Sequence, residues 1–307
     1  MQVSVVIVNY KNPPLIVQCV KSILQYEHTV DYEIIVVDNN SEDDTEQLLR
    51  AIYPNLKWIQ MGYNSGFAKA NNAGLKVAQG EYVFYLNSDT IFIEPVFEKL
   101  INEMESEPSV GMLGCRLVNN DLTPQIGCDT TTTTTYSFKH LLRRNPFMIK
   151  IFNTQRTTKS ELNKIRSITD CEQCYLRWLV GAAVFMRRAD ILKYNLLWDE
   201  DFFMYFEDMM LGYSVRKAGY KVKFINSPRI IHLGGQSTPK SKTAIFHFMD
   251  SEVKYLRKVR GRLLAKLYSL LFKLEINLEA YLDKRKYGKI MNPMLEIEYE
   301  YCHKKDK

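Results

Sequence analysis

The 307-residue chain lacks several features that would fix its class at once. No apolar stretch reaches the length of a transmembrane helix, and no basic n-region or cleavage site precedes the strand-like run after Met1. The sequence therefore predicts no secretory signal and a chain held in the cytoplasm unless something attaches it to a surface. No Gly-x-Gly-x-x-Gly follows the first strand, which argues against a dinucleotide-dependent dehydrogenase. A glycine- and lysine-rich loop is missing there too, which argues against a nucleotidyltransferase. Of six cysteines only Cys171 and Cys174 lie close together, and no second ligand pair stands nearby to complete a zinc site. They read as reduced structural thiols, with a redox pair as the alternative. The net charge of +6 is not interleaved with a recognition module, so no nucleic-acid partner is expected.

What is present is an ordinary globular composition, 46% apolar and 25% charged, sufficient for one large domain with an appendage. Val3 to Val8 is a continuous β-branched run, the pattern of a strand covered on both faces. Pro13-Pro14 opens a helix, and residues 33–38 form a second buried strand ending in Asp38. Ser41 is expected to cap the next helix, with acidic residues in its first turn. A short strand at 57–60, a helix over about 68–78 and a strand at 82–86 complete a strand–helix alternation that implies βαβ crossovers and a mostly parallel sheet. Ligands of such sheets bind beyond the carboxyl ends of the strands, where Asn9, Asp38, Asn87, Ser88 and Asp89 stand. Residues 128–175, with six consecutive threonines, read as a variable insertion with mobile parts. Residues 178–186 read as one strand, and 221–225 and 229–232 as two short ones. From about 244 the apolar spacing is helical, interleaved with Lys and Arg, giving a catalytic domain over 1–240 and a basic helical extension over 241–307.

The blocks VVIVNYKN, VVDNNSEDDT, NSGFAKANN and YLNSDT closely resemble the N-terminal half of family 2 glycosyltransferases. WLVGAAVFMRR, FFMYFEDMMLGYSVRKAGYKV and IIHLGGQST resemble the rhamnosyltransferase-like branch, which builds bacterial surface polysaccharides. The resemblance covers roughly residues 1–240 and implies a GT-A fold, an α/β architecture with a Rossmann-like central sheet. It implies an inverting transfer of a sugar, rhamnose by branch, from a dTDP- or UDP-linked donor to a hydroxyl of a saccharide or lipid-linked acceptor at the inner face of the plasma membrane.

By the same resemblance Asp208 is the base, with Glu207 orienting the acceptor or assisting. A buried carboxylate whose affinity for protons is raised by apolar neighbours suits that work. Val8, Asn9, Tyr10 and Asp38 would contact the nucleotide, as would Asn64, Gly66, Phe67 and Asn72. Asn87, Ser88 and Asp89 occupy the family's Asp-x-Asp position, but its first Asp is Asn87 here. Asp89 and His232 would hold a divalent metal, Mg²⁺ or Mn²⁺, which neutralises a leaving diphosphate with few protein ligands. Trp178, Gly181 and Ala182 fall where the family shapes its acceptor pocket. The loss of charge at Asn87 keeps a second expectation open, a sugar-nucleotide-binding or assembly protein without turnover. The basic C-terminal helices have two expectations: docking on an anionic membrane surface, or packing on the catalytic domain with a solvated charged face.

Overall fold

The computed structural model describes residues 1–125, 128–129, 171–234 and 241–304. Most of the expected insertion, and Gly235 of the His-Leu-Gly-Gly motif, lie outside the described residues. The chain divides into two compact units. One contains most of the described residues up to 234, and the other contains Met204–Phe206 and the helices from 242 onward.

The first unit is built on a nine-stranded sheet. β1 (Val3–Asn9), β2 (Tyr32–Asp38), β3 (Lys57–Gln60) and β4 (Tyr82–Asn87) are all parallel, in the order β3-β2-β1-β4. The side chains of β1, β2 and β4 are nearly all buried, as continuous β-branched runs predict for strands covered on both faces, whereas the edge strand β3 is half-buried to exposed. Helices α1 (Pro13–Tyr26), α2 (Thr45–Ile52) and α3 (Phe67–Val77) make the crossovers. Because β2 and β4 flank β1 on opposite sides, the order reverses between β1 and β4, and this is where an open α/β sheet forms its crevice.

Beyond β4 the sheet becomes mixed. After β5 (Thr90–Phe92), α4 (Phe97–Ser106), β6 (Val110–Val118) and β7 (Cys128–Asp129) come β8 (Gln173–Leu176), β9 (Trp178–Leu179) and β10 (Ala183–Arg187). β10 is antiparallel to both β4 and β6. The single strand expected over 178–186 is thus two, broken at residues 180–182, and β9 pairs with β7 in a separate small sheet. α5 (Arg188–Tyr194) and α6 (Glu207–Lys217) follow. The two short strands expected near the end are one, β11 (Lys221–His232), which runs parallel to β6 and antiparallel to β5 and β8. Its register shifts between Phe224 and Arg229, so Pro228 sits at an irregularity, as a proline within a sheet requires.

Ser41 does not cap α2. That helix starts at Thr45 after Asp44, which makes no side-chain cap bond, while Ser41 Oγ donates to the nearer Asp38 carboxylate.

In the second unit α7 (Lys242–Arg260) begins at Ser241, whose Oγ accepts the Ala244 N–H. Gly261, at φ +92°, separates it from α8 (Arg262–Tyr287), and α9 (Pro293–Lys304) closes the chain. Leu256, Tyr268, Phe272, Ile276 and Leu295 form their shared core. No helix among the described residues is long and apolar enough to cross a membrane.

Candidate active site

Strand ends bring the first group together. Asn9 and Asp38 are partners in the β1–β2 register, and Asn9 Nδ2 donates to Asp38 Oδ1 at 2.8 Å. Asp38 also accepts from Ser41 Oγ at 2.5 Å, Ser41 N–H at 2.9 Å and Gln60 Nε2 at 2.9 Å. Four donors occupy this buried carboxylate, so a nucleotide base reaching it must displace one. Gln60, on the exposed end of β3, is the partner open to exchange. Asn9 Oδ1, by contrast, is buried without a hydrogen-bond partner and remains an open acceptor. Val8 is half-buried and Tyr10 exposed, with Lys11 Nζ 5.4 Å from the Tyr10 ring centre.

The loop before α3 is tied to the same rim. Asn39 Nδ2 donates to the Gly66 carbonyl at 3.2 Å, and Asn39 Oδ1 accepts from Ser65 Oγ at 2.8 Å. Asn64 Oδ1 accepts the Gly66 N–H at 3.2 Å. Gly66 adopts φ +82°, and a Cβ there would lie 2.4 Å from the Phe203 carbonyl oxygen, so only glycine fits. Phe67 packs edge-on against Trp198, with ring centres 5.2 Å apart. Asn72 turns away from this rim. Its amide donates to the Trp198 carbonyl and Glu200 Oε1 and accepts the Trp198 N–H, tying α3 to the 198–200 segment.

At the end of β4, Asn87 is half-buried, while Ser88 and Asp89 are buried. Pairing of His232 with Thr90 in the β11–β5 ladder sets His232 beside Asp89, with His232 Nε2 3.4 Å from Asp89 Oδ1. Proton placement follows from Gln125. Its Nε2 donates to the His232 carbonyl, which can only accept, so Gln125 Oε1 is the atom 3.0 Å from His232 Nδ1. Nδ1 therefore carries the hydrogen in the neutral ring, and the lone pair of Nε2 points at Asp89 Oδ1, which has no hydrogen-bond donor. Two facing acceptors are relieved either by a proton on Nε2 or by a shared cation. These are the atoms able to share a divalent ion, with Gln125 fixing the imidazole as outer-shell partners of metal-binding histidines do. Among the described residues no group of three or more His, Cys, Asp or Glu could hold a metal ion, so an ion here would draw its remaining ligands from water or a bound phosphate.

The second carboxyl pair opens α6. Gly212 lets this helix approach β9 closely, since a Cβ would lie 2.7 Å from the Arg177 carbonyl oxygen. Asp208 Oδ1 accepts the Met209 N–H at 2.7 Å and Oδ2 the Gly181 N–H at 3.3 Å. Burial raises the Asp208 pKa to about 6. Glu207 is more deeply buried, and Oε2 lacks a partner. Burial first, and then the Asp208 charge, push its carboxyl well above the usual range. Of the two carboxyls Glu207 therefore holds its proton the more tightly and Asp208 ionises first, a division of labour suited to an acid–base site.

Successive hydrogen bonds join the groups. Val8 pairs with Asn87, the Asn87 N–H donates to the Ala182 carbonyl at 2.9 Å, and neighbouring Gly181 holds Asp208. Asp38, Asn9, Asn87, Gly181 and Asp208 thus form one bonded rim, with Asp89 two residues beyond Asn87. Trp178 is half-buried beside α6, and its Nε1 lacks a partner. Strain concentrates here as well. Of the seven non-glycine residues at positive φ among the described residues, Lys11, Asn40 and Glu42 lie in the loops after β1 and β2, and Tyr205 and Phe206 directly precede Glu207. A shallow cavity of about 690 Å³, lined by Met1, Gln79, Gly80 and Arg188, lies at the amino ends of β1 and β4, away from these groups.

Gln60, Asn39 and Gln125 are absent from the sequence-based expectations, and Ser41 was expected only as a helix cap. Asn39 and Ser41 lie inside the quoted VVDNNSEDDT block and were within reach of that reading. Gln125 is 107 residues from His232, and no spacing signals it.

The description Glycosyl transferase family 2 matches residues 4–167, more than half of the chain. The chain belongs to glycosyl transferase family 2. It is similar to the poly(ribitol-phosphate) beta-N-acetylglucosaminyltransferase TarP of Staphylococcus aureus, 33% identical over 120 residues that cover 37% of each chain. EpsJ of Bacillus subtilis, an uncharacterized glycosyltransferase, is 23% identical over 246 residues, 79% of this chain and 63% of that one. The matched stretch thus spans little more than a third of TarP and under two thirds of EpsJ. The crystal structure of S. aureus TarS 1-349 in complex with UDP shares the fold, with a TM-score of 0.52 at 16% identity over 94% of this chain and 74% of that one. The α/β architecture expected of a GT-A glycosyltransferase is therefore present, with a mixed central sheet and C-terminal helices.

Proposed function

We propose that this family 2 glycosyltransferase is an inverting enzyme. It moves a sugar from a UDP- or dTDP-linked donor to a hydroxyl of a saccharide or lipid-linked saccharide during cell-surface polysaccharide synthesis at the cytoplasmic face of the membrane. The carrying observation is the bonded rim that joins Asp38 and Asn9 to the ionised Asp208, with Asp89 and His232 at its edge. Names among similar proteins support such acceptors: TarP is named for poly(ribitol-phosphate), and WfaP of Escherichia coli, 33% identical over 106 residues, for a diphosphoundecaprenol-linked sugar. The UDP bound to TarS supports a uridine donor. The blocks at 178–188, 202–222 and 230–238 favour rhamnose, whereas the named relatives transfer N-acetylglucosamine and glucose, so a donor panel should include all three.

In this reading the nucleotide lies over Asn9 and Asp38, with the open Asn9 Oδ1 accepting a donor from it. Asp89 and His232 would hold Mg²⁺ or Mn²⁺, which would neutralise charge on the diphosphate. Asp208 takes the proton from the acceptor hydroxyl as its oxygen attacks the anomeric carbon. The bond to the diphosphate breaks with its electron pair, and attack from the far side inverts the configuration. Neutral Glu207 donates a hydrogen bond that orients the acceptor beside Trp178.

The test is turnover of the donor panel with Mn²⁺, with the linkage read by NMR. A product of inverted anomeric configuration is expected, and retention would contradict the proposal. Asn87, which brings no charge where the family has Asp, favours one second reading, a binding or assembly protein. Nucleotide-sugar binding without any turnover would support that reading instead.

Gln125→Leu is expected to weaken Mn²⁺ binding by about 10–100-fold, the usual loss when an outer-shell partner of a metal ligand is removed. Titration of Mn²⁺ followed by its electron paramagnetic resonance checks this, with circular dichroism to confirm that the variant still folds despite losing the Gln125 bonds to Asn119 and His232.

A further inference from the structure

The chain's whole net charge resides at one end. Residues 241–307 carry fifteen Lys and Arg against nine Asp and Glu, which accounts for the full +6, and residues 1–240 are balanced. The same segment exposes a long apolar face. On one side of α8, Ala265, Tyr268, Phe272 and Ile276 are buried in the core shared with α7 and α9. On the other side Leu263, Leu267, Leu270, Leu274, Leu278 and Tyr281 recur at three and four residues, each between 46% and 84% exposed. They run along about 27 Å of helix at 1.5 Å per residue. An exposed apolar face of this length is ordinarily covered by something.

The flanking residues indicate what covers it. At 100° per residue Arg262, Lys266, Lys273 and Lys284 fall along one border of the leucine face, and Arg285, Lys286 and Lys289 cluster at its carboxyl end. In a helix pair the positions beside the apolar seam carry the charges that choose the partner. Here Leu271 and Leu282 broaden the other border of the seam instead, and both are exposed. A broad apolar face with a basic border suits a lipid interface, and concentrated positive charge suits an anionic one. Crossing the bilayer is excluded for α8, which is too charged to span it.

We propose that α8 lies along an anionic bilayer surface, with its Leu263–Tyr281 face in the boundary between headgroups and acyl chains and its lysine border against the headgroups. This inference rests on the helical unit alone and does not depend on the reaction assigned above.

The test is cosedimentation of the full chain with phosphatidylcholine vesicles, either pure or containing about a third phosphatidylglycerol, alongside lipid-free sedimentation equilibrium. Binding to the anionic vesicles is expected to be at least about tenfold tighter than to the neutral ones and to weaken in high salt. L270E/L274E should abolish it, and K266E/K284E should lower it by about tenfold or more. All four positions are surface sites, so helical content by circular dichroism should stay constant. Absence of binding to anionic vesicles, or unchanged binding of L270E/L274E, overturns the proposal. So does a lipid-free oligomer that L270E/L274E dissociates, because the face would then belong to a second copy.

Discussion

Replacing Asp208 with Asn is expected to cut sugar transfer by about 10²–10⁴-fold, the usual contribution of a positioned general base, while making the protein more stable at neutral pH. The two effects share one cause. Burial holds the folded Asp208 near pKa 6 against an ordinary 3.8, so the folded state binds this proton more tightly than the unfolded chain does. Its stabilising effect is complete below the unfolded value and is lost as pH rises through about 6. At pH 7.5 the ionised carboxylate is therefore a liability, and a neutral amide of the same shape relieves it. The gain should be on the order of 1–3 kcal/mol at pH 7.5, partly offset where the amide nitrogen meets the Met209 or Gly181 N–H, and it should shrink toward zero near pH 4. Thermal denaturation at the two pH values checks the stability arm. Wild-type turnover should climb through an apparent pKa near 6 and then level off, the profile of a base that must be ionised.

Gly66→Ala is expected to cost about 2–4 kcal/mol, combining a left-handed backbone with a steric clash. The new methyl would overlap the Phe203 carbonyl, the group that accepts the Phe67 N–H at 2.9 Å and opens α3. Relief requires the Asn64–Phe67 loop to move off the rim or Phe203 to shift, four residues before Glu207. Displacements of about 1 Å in such sites can cost about 100-fold in rate, so donor turnover should fall along with stability. Gly62→Ala is the control. Its φ of +72° carries a comparable backbone cost, but nothing lies within 4 Å of the added atom. A melting temperature lowered equally by both substitutions would show that backbone conformation, rather than contact with Phe203, is what Gly66 serves.

The sheet that carries these residues was legible where apolar runs were bounded by a change of character. β1, β2 and β4 each end at Asn or Asp, and Pro13 opens α1, so positions 9, 38 and 87 could be assigned to strand ends before any contact was known. The break at 180–182 was not legible, because Val180, Gly181 and Ala182 continue an unbroken apolar run and no period marks the turn. The strands expected at 221–225 and 229–232 erred in the other direction, since Pro228 between them is absorbed in β11 by a register shift against β6. Ser41 carried an N-cap signature, but the Asp38 carboxylate stood closer than the start of α2. For the site, the family resemblance singled out Asp208, Asp89 and His232, and the last two lie 3.4 Å apart. The long-range partners escaped, because Gln125, Trp198 and Phe203 meet their targets only through tertiary packing.

The central claim is that a nucleoside diphosphate binds at the carboxyl ends of β1 and β4, anchored by Asp38 and by a divalent ion on Asp89 and His232. Isothermal titration of UDP and dTDP, with and without Mn²⁺, into wild type, Asp38→Ala, Asp89→Ala and Asp208→Asn tests it most directly. One nucleotide should bind wild type and Asp208→Asn alike and bind Asp38→Ala at least about tenfold more weakly, a loss of about 1.4 kcal/mol. Asp89→Ala should lose the Mn²⁺ enhancement. Equal affinity across all four proteins, or no binding of either nucleotide to wild type, would contradict the account.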